Sequence, residues 1–284
     1  MKAKLRHVLL VIFCSFLMLP LHAEKTDSVP VKKSNFVVGL NYLSNNVYLG
    51  RIDSANIMYL GPSIAYHHKS GLHIGASMSY QLDAGLNKVD AITLDGGYEF
   101  KFNENFNGEL SVEKYFNNAN SIALNSVTEL GIGSSFSYDF SIVTLNAGAG
   151  LAFNDKTDIN TAIGLNHSFE LNKLTIEPSM MFNAGTRNDY NSYLKAGKSH
   201  KNGNNGKGKT NTTTYSIEQA SSFKILDYEI SVPVSYSFHN FKFDLVPTYS
   251  IPVNPATILS SKNTIEKEEI SNHFVVQLGI NYKF

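Results

Sequence analysis

The chain has 284 residues, with 24 Lys+Arg against 24 Asp+Glu, 12% aromatics, no Trp and a single Cys. Zero net charge argues against a nucleic-acid partner, which asks for a basic surplus to neutralise phosphates. Charged residues make up only 17%, below the roughly 25% of soluble domains, yet a mean hydropathy of −0.14 is not that of a bundle of membrane-spanning helices.

Lys2, Lys4 and Arg6 open the chain, an apolar stretch runs from Val8 to Leu21, and Leu21-His22-Ala23 precedes a polar segment. A basic start, a short apolar centre and a small residue at the cut predict a secretory signal peptide over 1–23. The stretch falls short of the roughly 20 apolar residues that cross a bilayer as a helix. Cleavage after Ala23 removes three of the 24 bases and leaves 21 against 24 acids. Cys14 goes with it, so the mature chain has no disulfide and no thiolate site. Residues 24–34 form a polar lead-in, expected on the periplasmic side.

From there period-2 alternation dominates, the mark of strands with one apolar face. Phe36, Val38, Leu40 and Tyr42 oppose Val37, Gly39, Asn41 and Leu43; Leu72, Ile74, Ala76, Met78 and Tyr80 oppose His73, Gly75, Ser77, Ser79 and Gln81. The same pattern recurs near 58–66, 92–102, 109–113, 129–138, 143–153, 159–169, 174–184, 224–238, 241–251 and 272–284, giving twelve strand candidates. Short connections at His68–Gly71, Asn103–Asn105, Asp139–Ser141, Leu171–Lys173 and His239–Asn240 alternate with looser ones, the longest being 185–222. Five tight turns and six longer loops predict an all-β, up-and-down transmembrane β-barrel of about 12 antiparallel strands over 35–284, with both termini on one side.

Alternation by itself does not say which face is outside, since a soluble barrel buries its apolar face and a membrane barrel exposes it to lipid. The polar face is rich in Gly and Ser, which suit a narrow interior. Pro62, Pro178, Pro233 and Pro247 fall inside proposed strands and lack a ladder donor, so bulges or shortened strands are expected around them.

The last strand places Phe274, Val276, Leu278, Ile280, Tyr282 and Phe284 on one face and stops at Phe. It resembles the assembly signal of Gram-negative outer-membrane β-barrel proteins. That resemblance implies an outer-membrane location, contact with outer-membrane lipid and lipopolysaccharide, and handling by the barrel-assembly machinery. The stretch Asn46-Val47-Tyr48-Leu49-Gly50-Arg51 with Tyr59–Gly71 is also similar to TorF-like outer-membrane proteins, a similarity that implies no activity.

On the proposed inner face stand Asp95, Glu99, Glu109, Glu113, Glu129, Glu170, Glu177, Asp227, Glu229 and Asp244, against Lys101, Lys242 and Lys283. A water-filled lumen of that composition would favour cations, and the expected function is a passive channel for small polar solutes. Beyond the leader the chain has only Arg51 and Arg187, too few to line a passage for acidic sugars.

Other readings are weaker. Gly203-Asn204-Asn205-Gly206-Lys207-Gly208-Lys209-Thr210 fits the phosphate-loop spacing but lacks the flanking strand and helix that make it work. The better reading of 185–222 is a basic outer loop carrying Arg187, Lys195, Lys198, Lys201, Lys207 and Lys209, a candidate surface for anionic lipid or polysaccharide. A lipid hydrolase would need a His activating a Ser or water. His68-Lys69-Ser70 has a usable spacing but falls in a periplasmic turn, and His167 and Ser168 point to opposite faces. His67, His68, His73 and His167 show no metal-ligand spacing in sequence. No catalytic residue, metal or cofactor is assigned.

Overall fold

The computed structural model describes residues 33–52, 57–82, 88–121, 123–195, 215–261 and 265–284. The alternating segments become a closed barrel of twelve antiparallel strands. They are β1 (Asn35–Leu43), β2 (Met58–His67), β3 (Leu72–Leu82), β4 (Lys88–Lys101), β5 (Phe106–Asn117), β6 (Leu130–Asp139) and β7 (Thr144–Phe153). β8 (Asp158–Asn166, then Phe169–Leu171), β9 (Leu174–Ile176, then Ser179–Gly185) and β10 (Lys224–Ser231, then Val234–Phe238) are each interrupted once, and β11 (Phe241–Pro252) and β12 (His273–Lys283) complete the wall. Closure is made by β12, whose Leu278 pairs with Leu245 on one side and Tyr42 on the other. Each strand thus has two neighbours along its main span, while the Phe169–Leu171 end of β8 pairs only with Leu174–Ile176 of β9.

All five tight turns lie at the end where the chain enters and leaves. Gly71 has φ 98°, and a side chain there would come 2.1 Å from the Glu99 carbonyl oxygen, so this turn accepts only glycine. Ser141, Asn172 and His239 take positive φ in three of the others.

The prolines cause the interruptions, and three of the four fall into register with one another. The His167 N–H reaches the Pro178 carbonyl (3.2 Å), the Glu177 N–H the Pro233 carbonyl (2.8 Å), and the Val232 N–H the Pro247 carbonyl (3.2 Å). One slanting row of breaks therefore crosses β8 to β10 and ends beside Pro247 in the uninterrupted β11. Pro62 leaves β1–β2 pairing continuous and interrupts β2–β3 between Leu60↔Tyr80 and Ser63↔Ser77.

The apolar face points outward. Ile74 is 64% exposed, Leu110 51%, Ile163 56% and Phe274 64%, which in water would be a liability and in lipid is the driving force for insertion. Near the tight turns Phe100, Phe102, Phe106, Phe136, Tyr138 and Phe140 stack in a chain, and Phe241, Tyr282 and Phe284 continue it on the far side. This is an aromatic girdle built of Phe and Tyr without Trp.

Candidate functional site

The lumen is the concave surface on which the sequence-predicted polar groups converge. On β4 and β5, Asp95, Glu99, Glu109 and Glu113 project inward, alternating with exposed Leu94, Tyr98, Leu110 and Val112. Glu113 accepts a hydrogen bond from the Tyr115 hydroxyl two residues along the same face. Six strands away around the ring, β10 and β11 carry Asp227, Glu229, Lys242 and Asp244 on the facing wall. Asp227 is fully buried and accepts from the Ser250 hydroxyl (3.2 Å). Asp244 accepts from Ser235 (2.7 Å) and Asn281 (3.2 Å) and pairs with Lys242 at 3.1 Å. Glu177 is half-buried at the break in β9, while Lys101, Glu170 and Lys283 are exposed at the turn end.

Glu129 does not belong to this set. It precedes β6, its side chain is 74% exposed, and it pairs at 3.4 Å with Lys114, which shares the outward face of Val112 and Phe116. The pleat rule that assigns faces holds only inside a strand, and β6 begins one residue later.

The opposite end of the lumen is shut by its own loops. Tyr48 and Leu49, Leu124, Tyr193 and Leu194, Ile217 and Ala220, Leu226 and Ala256 form one buried cluster drawn from four connections and the mouth of the barrel. A short hairpin, Val47–Tyr48 with Arg51–Ile52, turns through Leu49 (φ 48°) and Gly50 (φ 77°), the geometry favoured by a two-residue loop. Its tip enters the mouth so far that a side chain at Gly50 would lie 2.6 Å from Asp227 Cβ. Tyr215–Ile217, Thr257–Ser260 and Ile265–Lys267 form a small sheet that stitches two of the loops together.

Glu268 holds this cap electrostatically. Arg51 donates to both of its carboxylate oxygens (3.2 and 3.1 Å), the Ala256 N–H donates at 2.8 Å, and an Arg187 nitrogen lies 4.0 Å away. Arg51 also donates to the Leu49 carbonyl (2.9 Å) and Arg187 to that of Asn254 (2.9 Å). Burial and the neighbouring Arg51 lower the Arg187 guanidinium from its ordinary value, with Glu268 acting the other way. Burial and Glu268 together push the Tyr190 hydroxyl up.

The helix α1 (Asn188–Lys195) starts on a carboxylate from the wall. Asp158 accepts the N–H groups of Asn188 (2.7 Å) and Asp189 (2.6 Å) and the Thr186 hydroxyl. An acid on free helical N–H groups satisfies them and complements the helix dipole. Asp189 accepts from the Thr128 hydroxyl. Burial pushes its carboxyl up to about 8, and adjacent Asp158 acts in the same direction. Between Tyr48, Arg51, Asp158, Tyr190 and Leu226 lies a cavity of about 10 Å³, room for roughly one water.

Two expectations about the 185–222 loop change here. Its first part is a packed helix, and Arg187 is 4% exposed and engaged in the cap rather than offered to solvent. Lys195 is exposed. Lys198, Lys201, Lys207, Lys209 and the Gly203–Thr210 motif lie outside the described residues, as do the expected signal peptide and most of the expected lead-in. His68 and Ser70 do meet, at 2.8 Å, but the same ring nitrogen accepts the Ser70 N–H, so the pair serves an exposed turn. His167 packs edge-on to Phe169.

Sequence reasoning missed Arg51, Asp158, Arg187 and Glu268 as one unit. The signal available was the rarity of arginine: the only two beyond Arg6 are both under 10% exposed. It also missed that β2–β3 pairing sets His67 directly opposite His73, with Glu99 in reach.

No family model and no curated protein matches the sequence. Among solved structures, the barrel is similar to the KdgM porin at 11% identity and TM-score 0.50, covering 87% of this chain and 99% of that one. The NanC porin aligns at 9% identity and TM-score 0.49, over 88% and 100%. An outer membrane channel from Pseudomonas putida F1 aligns at 9% identity and TM-score 0.48, over 92% and 98%. The fold is that of an outer-membrane β-barrel of the porin-like kind.

Proposed function

We propose that this protein is a passive outer-membrane passage for small polar solutes that prefers cations, with an outer mouth closed by its own loops. The carrying observation is the acid-rich lumen, with Asp95, Glu99, Glu109 and Glu113 on one wall and Glu229 and Asp244 on the other, inside a barrel whose exterior is apolar. Enclosed by low-dielectric walls, an excess of one sign concentrates the opposite ion. The porin-like neighbours support the reading at the level of fold alone. Both arginines are committed to the cap, which leaves the lumen without the fixed guanidinium groups an acidic saccharide would call for.

Planar-bilayer recording tests it. The wild type should conduct rarely, with a reversal potential in a KCl gradient on the cation side, and Glu268→Gln should raise the open fraction. Silence in both proteins would end the channel reading.

We also propose residence in a Gram-negative outer membrane, in contact with lipid and lipopolysaccharide, a reading that the exposed apolar belt supports. The terminal strand, where Phe284 donates its N–H to the Phe36 carbonyl (2.9 Å) across the closing seam, supports assembly by the barrel-assembly machinery. Deleting Phe284 should leave unassembled chain in the periplasm; normal insertion would contradict that route.

A further inference from the structure

The turn end of the lumen carries a cluster that conduction does not require. His67 on β2 pairs across the hairpin with His73 on β3, and His73 in turn lies beside Gly97 on β4, two residues from Glu99. One ligand atom each from His67, His73 and Glu99 lies within 4.8 Å of the others. The two imidazoles face each other with centroids 5.7 Å apart. All three side chains are half-buried, alternating with the outward Tyr66, Leu72, Ile74 and Tyr98.

The wall is shaped for these rings. A Cβ at Gly97 would stand 2.5 Å from His73 Cε1, so the imidazole occupies space that any other residue would fill. His73 Nε2 lies 3.6 Å from Glu109 Oε1, while its Nδ1 is buried without a hydrogen-bond partner. A carboxylate beside one ring nitrogen orients the ring electrostatically and leaves the other nitrogen as a ligand. A plain His–Glu ion pair accounts for the first contact and not for the second.

We infer that His67, His73 and Glu99 form a binding site for a first-row divalent transition-metal ion, with Glu109 positioning the His73 ring. Two imidazoles and a carboxylate match the preferences of Zn²⁺, Cu²⁺ and Ni²⁺, and three protein ligands leave a coordination position for water or solute. Ligand atoms about 2.0–2.2 Å from Zn²⁺ sit roughly 3.3 Å from one another in a tetrahedral site, so small side-chain rotations close the cluster. Asp95 adds negative charge nearby, and Lys283 opposes it.

The test uses the folded barrel in detergent, without a polyhistidine tag, and needs no conductance, so it stands or falls apart from the channel reading. Titration calorimetry should find one Zn²⁺ per chain, and Cu²⁺ should give an electron paramagnetic resonance spectrum with two coupled nitrogens. His67→Asn and His73→Asn should each remove one nitrogen coupling and weaken binding by more than about tenfold. Glu109→Gln should weaken it by about 10–100-fold while keeping two nitrogens. His68→Asn, one residue away in the turn, should change neither readout. Absence of uptake by the wild type overturns the site. So does unchanged stoichiometry in the His67→Asn/His73→Asn double variant, which would assign the ion to surface histidines. Heat-modifiable gel mobility confirms that each variant is folded.

Discussion

The turn end and the outer end of this lumen are made by the same alternating strands, yet one keeps its polar side chains partly exposed and the other is packed like a soluble core. Near the turns, Glu109 keeps a side chain 24% exposed, and Asp95 and Glu99 are likewise only half-buried. Toward the outer mouth, Gln81, Asp158, Asp189, Asp227 and Ser250 are at most 1% exposed. The strands do not create this difference. Loops carrying Tyr48, Leu124, Tyr193 and Ala256 bring a small hydrophobic core into the barrel mouth, and the polar wall there must then be satisfied by protein instead of water.

The cap should therefore fail separately from the wall. Glu268→Gln leaves Arg51 and Arg187 buried beside each other without a neutralising carboxylate. Breaking a buried pair from one side costs about 3–5 kcal/mol, a large share of what so small a core can hold. The expected result is rapid protease cleavage within the outer loops of an otherwise SDS-resistant barrel. Unchanged protease resistance would mean that the apolar cluster alone keeps the mouth shut.

The wall has its own sensitive face. Leu110→Arg sets a guanidinium in lipid and should lower folding stability in vesicles by about 2–4 kcal/mol if the position is near the midplane. Ser111→Arg, on the next residue and the other face, places the same group among Glu109 and Glu113 and should fold nearly as well as the wild type. Urea titration in lipid vesicles measures both. Equal losses would contradict the assignment of faces.

The contrast also explains how far the sequence could be read. Strand number, the five turns and the paired walls all follow from local rules, because alternation needs only neighbours in the chain. Even the prolines were legible as trouble, although not their alignment across β9 to β11. The cap was opaque because its contacts are long in sequence: Arg51 and Glu268 are 217 positions apart, and no periodicity links them. His67 and His73 became neighbours only through hairpin register. Glu129 was misplaced because a strand rule was extended one residue past the strand.

A milder lever on the cap is pH. The Asp189 carboxyl is raised from an ordinary 3.8 to about 8 in the folded cap, so the closed form binds a proton that the open form releases between those values. Its contribution to closure is complete below about pH 4 and declines as pH rises toward 8. Protease accessibility of the outer loops should thus be greater at pH 8 than at pH 5, and Asp189→Asn should flatten the dependence. A profile with the opposite slope would place the titration elsewhere.

The smallest expected effect is also the sharpest discriminator between the two faces. Lys114 and Glu129 are 42% and 74% exposed and 3.4 Å apart, the kind of open pair worth about 0–1 kcal/mol and weakened further by salt. Glu129→Gln should shift stability by less than about 1 kcal/mol and leave the reversal potential where it was. Glu113→Gln, which removes an equal charge from the inward face of β5, should move the potential toward zero selectivity. The two substitutions differ in little but side. If Glu129→Gln altered selectivity as much as Glu113→Gln, the outward placement of Glu129 would be wrong, and β6 would have to begin one residue earlier, with Glu129 on the lumen face beside Gly131 in the same register.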